Sequence, residues 1–456
     1  MDKIAVLPLF GSLYFISQGS AKKAFIYYFL PVLTFMPTYY QTKLVPGIPE
    51  LSFWSAALIP IFIVWVTRDG MEGFKFTIFD GIVLLYLLCI FYGEFSNSSY
   101  KIAQKVFFNE VIARFIPYLM IKSFFTDQKT RVEIIKVIVI CGAIIAVGMI
   151  WEFKQSYNIF DKPIRNLWPT WVPWERPMRR WGFKRAFASF AHPICAGYFY
   201  AVISPMAFWY WKGDYIPKKY KKWAPKIYAL SVIGCLTAMS RAPMAGLALS
   251  LLIIWYGWAK DRKKVMSYLL VIFTIFFVVF FPKIWAYVNV KRTDAETVDQ
   301  RNAAYRSEMI ENYRSIVEER PYFGWGRFGV PWVEGQKSID NEYLFTALTS
   351  GKVVLYLFDF LMIFQGLKLL MFVFKHPYNN EEARLGWCFL GALLSAAFIM
   401  YTVYAGTQTV QYLFMLLGMS EGLCNSKILL KKGKSQEKQQ KLALEVGNGY
   451  HFSRTL

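Results

Sequence analysis

Apolar runs long enough to cross a bilayer recur along the chain, separated by short polar turns. Candidate runs lie at about 22–40, 50–66, 78–93, 106–124, 133–152, 190–211, 226–240, 242–259, 266–283, 352–374, 385–404 and 406–423. A hydrocarbon core needs about 20 largely apolar residues in a helix. The pattern therefore predicts an all-α polytopic membrane protein with about twelve transmembrane helices. The run Ile4–Ile16 is shorter and contains Pro8 and Gly11. A helix of that length rises only about 20 Å, so it reads as an interfacial or re-entrant segment. Lys3 in front and small residues behind keep a signal peptide as the alternative.

Two polar intervals interrupt the apolar pattern, and with them the chain divides into six regions. N-terminal membrane helices occupy 1–152, an Arg- and Trp-rich loop 153–189, and central membrane helices 190–283. A large loop follows at 284–351, then C-terminal membrane helices at 352–424 and a basic tail at 425–456. The tail, KILLKKGKSQEKQQK from Lys427, reads as disordered beyond about residue 432.

Composition sharpens this picture. Of 456 residues, 56% are hydrophobic and 19% aromatic, and the mean hydropathy is +0.32, which excludes an ordinary soluble domain of this size. The formal net charge is +22. The basic residues are scattered between spans, which argues against nucleic acid and for cytoplasmic loops that set orientation. Lys218, Lys219, Lys221 and Lys222 crowd one short loop; Lys260, Arg262, Lys263 and Lys264 fill another. With twelve spans these loops share a side with the basic tail, so both termini are expected in the cytoplasm and loops 153–189 and 284–351 outside. The six cysteines show no CxxC pair, and His192, His376 and His451 are far apart, so neither a zinc site nor a disulfide framework is expected.

Both outer loops are rich in arginine. The first holds Arg165, Arg176, Arg179, Arg180, Lys184 and Arg185 with few acids. An external basic surface beside the bilayer suits a phosphate-bearing headgroup. Its Trp168, Trp171, Trp174 and Trp181 suit either an interfacial aromatic belt or stacking on sugar faces. Pro169, Pro173 and Pro177 argue against a continuous helix there. Arg241, at a tight corner between two apolar runs, either snorkels or lines a cavity. Glu110 and Arg114, at i,i+4 spacing inside an apolar run, read as a structural ion pair.

The stretch Val298–Gly351 is the longest polar interval. From Arg301 to Arg320 its pattern is helical, with an apolar stripe of Tyr305, Met309 or Ile310, Tyr313 and Val317. Asp299 or Thr297 is a plausible start, and Pro321 ends the helix. PYFGWGRFG follows, with Gly324, Gly326 and Gly329 permitting tight turns. Then Asp340, Asn341 and Glu342 in DNEYL stand at the edge of the next span. Asp340 and Asn341 there suit a helix cap, a reactive group, or both.

These pieces resemble the O-antigen ligase and polymerase superfamily of bacterial envelope proteins. SRAPMAGLALSLLIIWY resembles the family's Ser-Arg-small run into an apolar helix. Arg306, followed by Pro321 and GWG, resembles its outer-loop arginine before a Pro-x-x-Gly-x-Gly turn. DNEYLFTALTSG resembles its HNxxL…G element, and RAFASFAHPICAGYF an upstream Arg…Pro segment. The likeness spans about residues 180–350. Ligases of the family usually carry His where this chain has Asp340, which fits better with the polymerases.

The resemblance implies a bacterial cytoplasmic-membrane glycosyltransferase, acting without a cofactor or metal, that joins an undecaprenyl-diphosphate-linked oligosaccharide to an acceptor glycan. A chain-length regulator is a further conceivable partner. Negative charge grows on the leaving diphosphate, and arginine stays charged and contacts phosphate bidentately. Arg306 is the first candidate to hold it, then Arg185 and Arg241, with Arg301 and Arg180 in reserve and Asn341 beside them. Asp340 is the candidate base or hydroxyl-orienting group, with Glu342 as its substitute. A ligase passing glycan to lipid A core is the nearest alternative. A flippase is the alternative of another class, but no internal repeat is visible.

Overall fold

The computed structural model describes residues 2–43, 49–167, 178–213, 215–216 and 218–425. Helix makes up 75% of the protein. Among the described residues the sheets are two antiparallel two-residue ribbons, Gln41–Thr42 with Leu51–Ser52 and Arg179–Arg180 with Phe183–Lys184. The class is all-α, as the apolar pattern requires. All twelve apolar runs fall on helical segments. Five described helices are both long and apolar enough to cross a membrane: Ile78–Asn97, Gln128–Gln155, Arg262–Tyr287, Glu342–Phe374 and Glu381–Thr402. The protein is a multi-pass membrane protein, while the count of twelve crossings rests on the apolar pattern alone. The tail, Trp168, Trp171, Trp174 and Arg176 lie outside the described residues.

The helix over 406–425 runs through the middle of the bundle, its residues 408–423 buried on every side. Close approach to the Ile116–Phe124 helix requires glycine. A Cβ at Gly418 would stand 2.6 Å from the Tyr118 carbonyl oxygen, and one at Gly422 2.8 Å from that of Lys122. Ion pairs inside the bundle include Lys122 with Asp80 at 2.5 Å and Lys368 with Glu421 at 2.7 Å. An unpaired charge at that depth would cost several kcal/mol. The first apolar segment is a short helix, Ile4–Ser17, docked on Phe53–Thr67 by a Ser12 hydroxyl donating to the Ala57 carbonyl at 2.7 Å.

The outer helix runs Val298–Glu319. Of the two proposed starts Thr297 is the cap: its hydroxyl accepts from the Gln300 amide at 3.1 Å. Its buried stripe is Met309, Tyr313 and Val317, packed with Ala347 and Leu348, while Ile310 faces out. The next helix starts ten residues before the expected 352, at Glu342, and bends at Gly351. Gly351 has φ +83°, and the Pro321–Gly329 turn docks against that bend. The Trp325 and Gly326 amides donate to the Leu348 and Thr349 carbonyls at 2.8 and 2.9 Å, and the Lys352 amide to Pro321 at 2.6 Å. A Cβ at Gly351 would lie 2.1 Å from the Tyr322 carbonyl oxygen, and one at Gly324 2.6 Å from that of Leu348. The glycines read as turn formers are therefore also the contact surface between outer loop and bundle.

Candidate functional site

Three separate stretches deliver arginines to one place. The hairpin Arg179–Lys184 lies over the corner between helices Ala224–Thr237 and Arg241–Trp258. That corner turns through Met239 at φ +47° and leaves carbonyls pointing outward. Arg180 donates to the Met239 carbonyl at 2.8 Å and Arg185 to the Ala238 carbonyl at 3.2 Å. The Ala186 amide donates to Thr237 at 3.2 Å. Arg241 opens the second helix of the corner. Arg306 approaches from the outer helix and faces Asp340 at 4.0 Å.

The electrostatics record this convergence. Burial, then Arg180 and Arg306, pull the Arg185 pKa down to about 10. Burial also lowers that of Arg306; Asp340 opposes the shift, while Arg241 and Arg180 add to it. Among the described residues, these four arginines and the Asp340 carboxylate come together, an arrangement suited to taking up an anion.

Beside the cluster is a cavity of about 520 Å³. His192, Gln336, Lys337, Ser338, Asp340 and Tyr404 supply its polar wall, and Ile194, Val330, Trp332 and Phe345 much of its apolar one. Asp340 is held from its own loop: Ser338 donates to its carboxylate at 2.7 Å. Tyr305 in turn fixes that loop, its hydroxyl accepting from the Lys337 and Ser338 amides at 2.8 Å. The helix thus sets both Arg306 and, through the neighbouring Tyr305, the segment carrying Asp340.

The remaining candidates are placed differently. Asn341 is buried and caps the Glu342–Phe374 helix, accepting from the Leu344 amide at 3.0 Å. Its side chain serves the backbone, which answers the cap alternative for Asn341 rather than for Asp340. Glu342 is buried too and accepts from the Ala405 amide at 3.0 Å. It lines a separate void of about 20 Å³ beneath the cavity, with Glu110, Arg114 and Arg327. Arg301 is exposed one and a half turns before Arg306. Five residues rotate about 140° around a helix, so the two point to different faces.

Two features escaped the sequence reading. Arg327, inside the GWGRFG turn, pairs with buried Glu110, and its amide donates to Glu94 at 3.0 Å. Burial alone would lower its pKa, but Glu110 holds it above the ordinary value. Glu110 also holds Arg114 at 2.5 Å, so the expected structural pair is real and extends into the loop. Because Glu94, Glu110 and Glu342 surround these two arginines, that cluster has no positive charge to spare. The second feature is His192, which caps the Pro193–Lys212 helix by accepting from the Ile194 amide at 3.1 Å. It also lines the cavity. The His-Pro pair opening an apolar run was the available signal.

The fold and site define a helical membrane protein with a cavity beside a cluster of arginines where its loops meet the bundle. Residues 227–358 match the protein-family model described as O-antigen ligase. That segment, under a third of the chain, carries Arg241, Arg306, Asp340 and Asn341 and supports the resemblance to the O-antigen ligase/polymerase superfamily. No curated protein matches the chain.

Proposed function

We propose that the protein is a glycosyltransferase of the bacterial cytoplasmic membrane. It polymerises undecaprenyl-diphosphate-linked repeat units of a surface polysaccharide, O-antigen or exopolysaccharide, on the outer face of that membrane. The observation that carries this reading is the meeting of Arg180, Arg185, Arg241 and Arg306 beside a cavity that also presents Asp340. In the reaction an acceptor hydroxyl attacks the anomeric carbon of the donor sugar. The bond from that carbon to the diphosphate oxygen breaks, and the leaving diphosphate takes the bonding pair. Arginines held in place before reaction stabilise the developing charge, each contributing on the order of 3 kcal/mol. The charge compensation is assigned to these side chains rather than to a metal.

Asp340 orients the acceptor hydroxyl and accepts its proton. Its half-exposed position lets the proton pass on to water, whereas Glu342 is sealed beneath the cavity. Both termini lie in the cytoplasm, as the lysine-rich turns at the opposite end of the bundle suggest. The ligase reading is the second one, favoured by the description of the matched family; Asp340 in place of the usual His of ligases supports polymerisation.

The test is the chain length and carrier of surface glycan after gene deletion, with Arg306→Ala alongside. Acceptors bearing single repeat units support a polymerase, and long chains stranded on undecaprenyl diphosphate a ligase. An unchanged profile in the deletion strain, with no second polymerase gene present, refutes both.

A further inference from the structure

At the end of the bundle away from the arginine site, a cleft of about 570 Å³ lies between the turn 259–261 and the turn 375–380. Lys260, Arg262, Lys263 and His376 line it. Among the described lining residues the one acid is Asp261, which caps the following helix, its carboxylate accepting from the Lys264 amide at 3.0 Å. Arg262 is fixed in place. It donates to the Gly257 carbonyl at 3.1 Å, with its guanidinium 5.5 Å from the centre of the Phe374 ring and 5.4 Å from that of Trp387.

The helix that rises from this cleft is unusual in the bundle. Arg262–Tyr287 is strongly apolar, yet only 6% of its most apolar window is buried inside the protein; the other four long apolar helices bury 39–72%. Val265 is buried near its start, but Leu270, Val271, Phe273, Phe277 and Val278 are all exposed. Lipid chains must fill the space beside such a helix, and a lipid there puts its headgroup at the level of the helix end. That end is the cationic cleft.

We propose that the cleft is a binding site for an anionic phospholipid. Its phosphate rests on Lys260, Arg262 and Lys263, and its acyl chains lie along the exposed Arg262–Tyr287 helix and fasten it to the bundle. Cations near a membrane surface attract anionic lipid by about 1 kcal/mol each. Removing two predicts binding about 30-fold weaker.

The experiment is native mass spectrometry of the full-length protein in detergent, titrated with phosphatidylglycerol, cardiolipin, phosphatidylcholine or inorganic phosphate. Lys260→Gln/Lys263→Gln is compared with Lys218→Gln/Lys219→Gln, which removes the same charge from another turn. Both pairs are exposed, so folding is preserved. Retained adducts of the two anionic lipids, weakened about 30-fold in the first variant and unchanged in the second, support the site. Equal retention of phosphatidylcholine, equal loss in both variants, or no loss in either overturns it. Displacement of the lipid by millimolar phosphate also overturns it, reassigning the cleft to a soluble anion.

Discussion

Replacing Arg306 by alanine separates a catalytic role from a structural one. The ion pair with Asp340 spans 4.0 Å, and the two side chains are 36% and 37% exposed. A pair so open to water contributes about 1 kcal/mol or less to stability. Removing Arg306 also relieves repulsion from Arg180 and Arg241, which offsets part of that loss. Thermal stability should therefore shift by no more than a few degrees. Activity should fall much further. One preorganised donor to a developing oxyanion contributes about 3 kcal/mol, a rate factor of about 100. Arg306→Lys keeps the charge but loses the bidentate geometry and should fall between the two. The assay is elongation of lipid-linked repeat units by protein reconstituted in vesicles, read as product length on a gel. Arg301→Ala is the control, because Arg301 is exposed on a different helical face. A loss for Arg306→Ala within threefold of wild type, or equal to that of Arg301→Ala, would refute the assignment.

Gly351→Ala should destabilise the protein by more than about 1 kcal/mol, because the site has φ +83° and a Cβ would meet the Tyr322 carbonyl at 2.1 Å; an unchanged melting temperature contradicts the docked turn. Glu110→Gln should cost about 3 kcal/mol, since it strands Arg114 and Arg327, a cost that a urea or detergent unfolding series measures. Asp340→Asn should lower turnover more than it raises KM, because the lost group handles a proton rather than binding charge; an unchanged turnover number removes Asp340 from the reaction.

Much of this protein was legible along the chain because its strongest signals are local. Apolar run length specifies helices in lipid, where every backbone amide must be satisfied within its own segment. Thr297, Pro321 and the Tyr305–Val317 stripe likewise bound the outer helix through interactions a few residues long. Arginine content and the order of the short motifs pointed to the two loops that the fold brings together. Which arginines meet was decided by tertiary structure alone. Arg180 and Arg185 reach the corner that carries Arg241 because the 238–239 carbonyls accept from them, and Arg306 joins them as the outer loop presses onto the bundle at Gly324 and Gly351. The same packing turned Asn341 into a cap, buried Glu342 and left Arg301 in solvent, although all three sit beside the site in sequence. Arg327 pairing with Glu110 across 217 residues had no local trace. Burial and charge proximity sum over the whole fold, so the sequence could nominate the cations and carboxylates but only the folded chain could sort them.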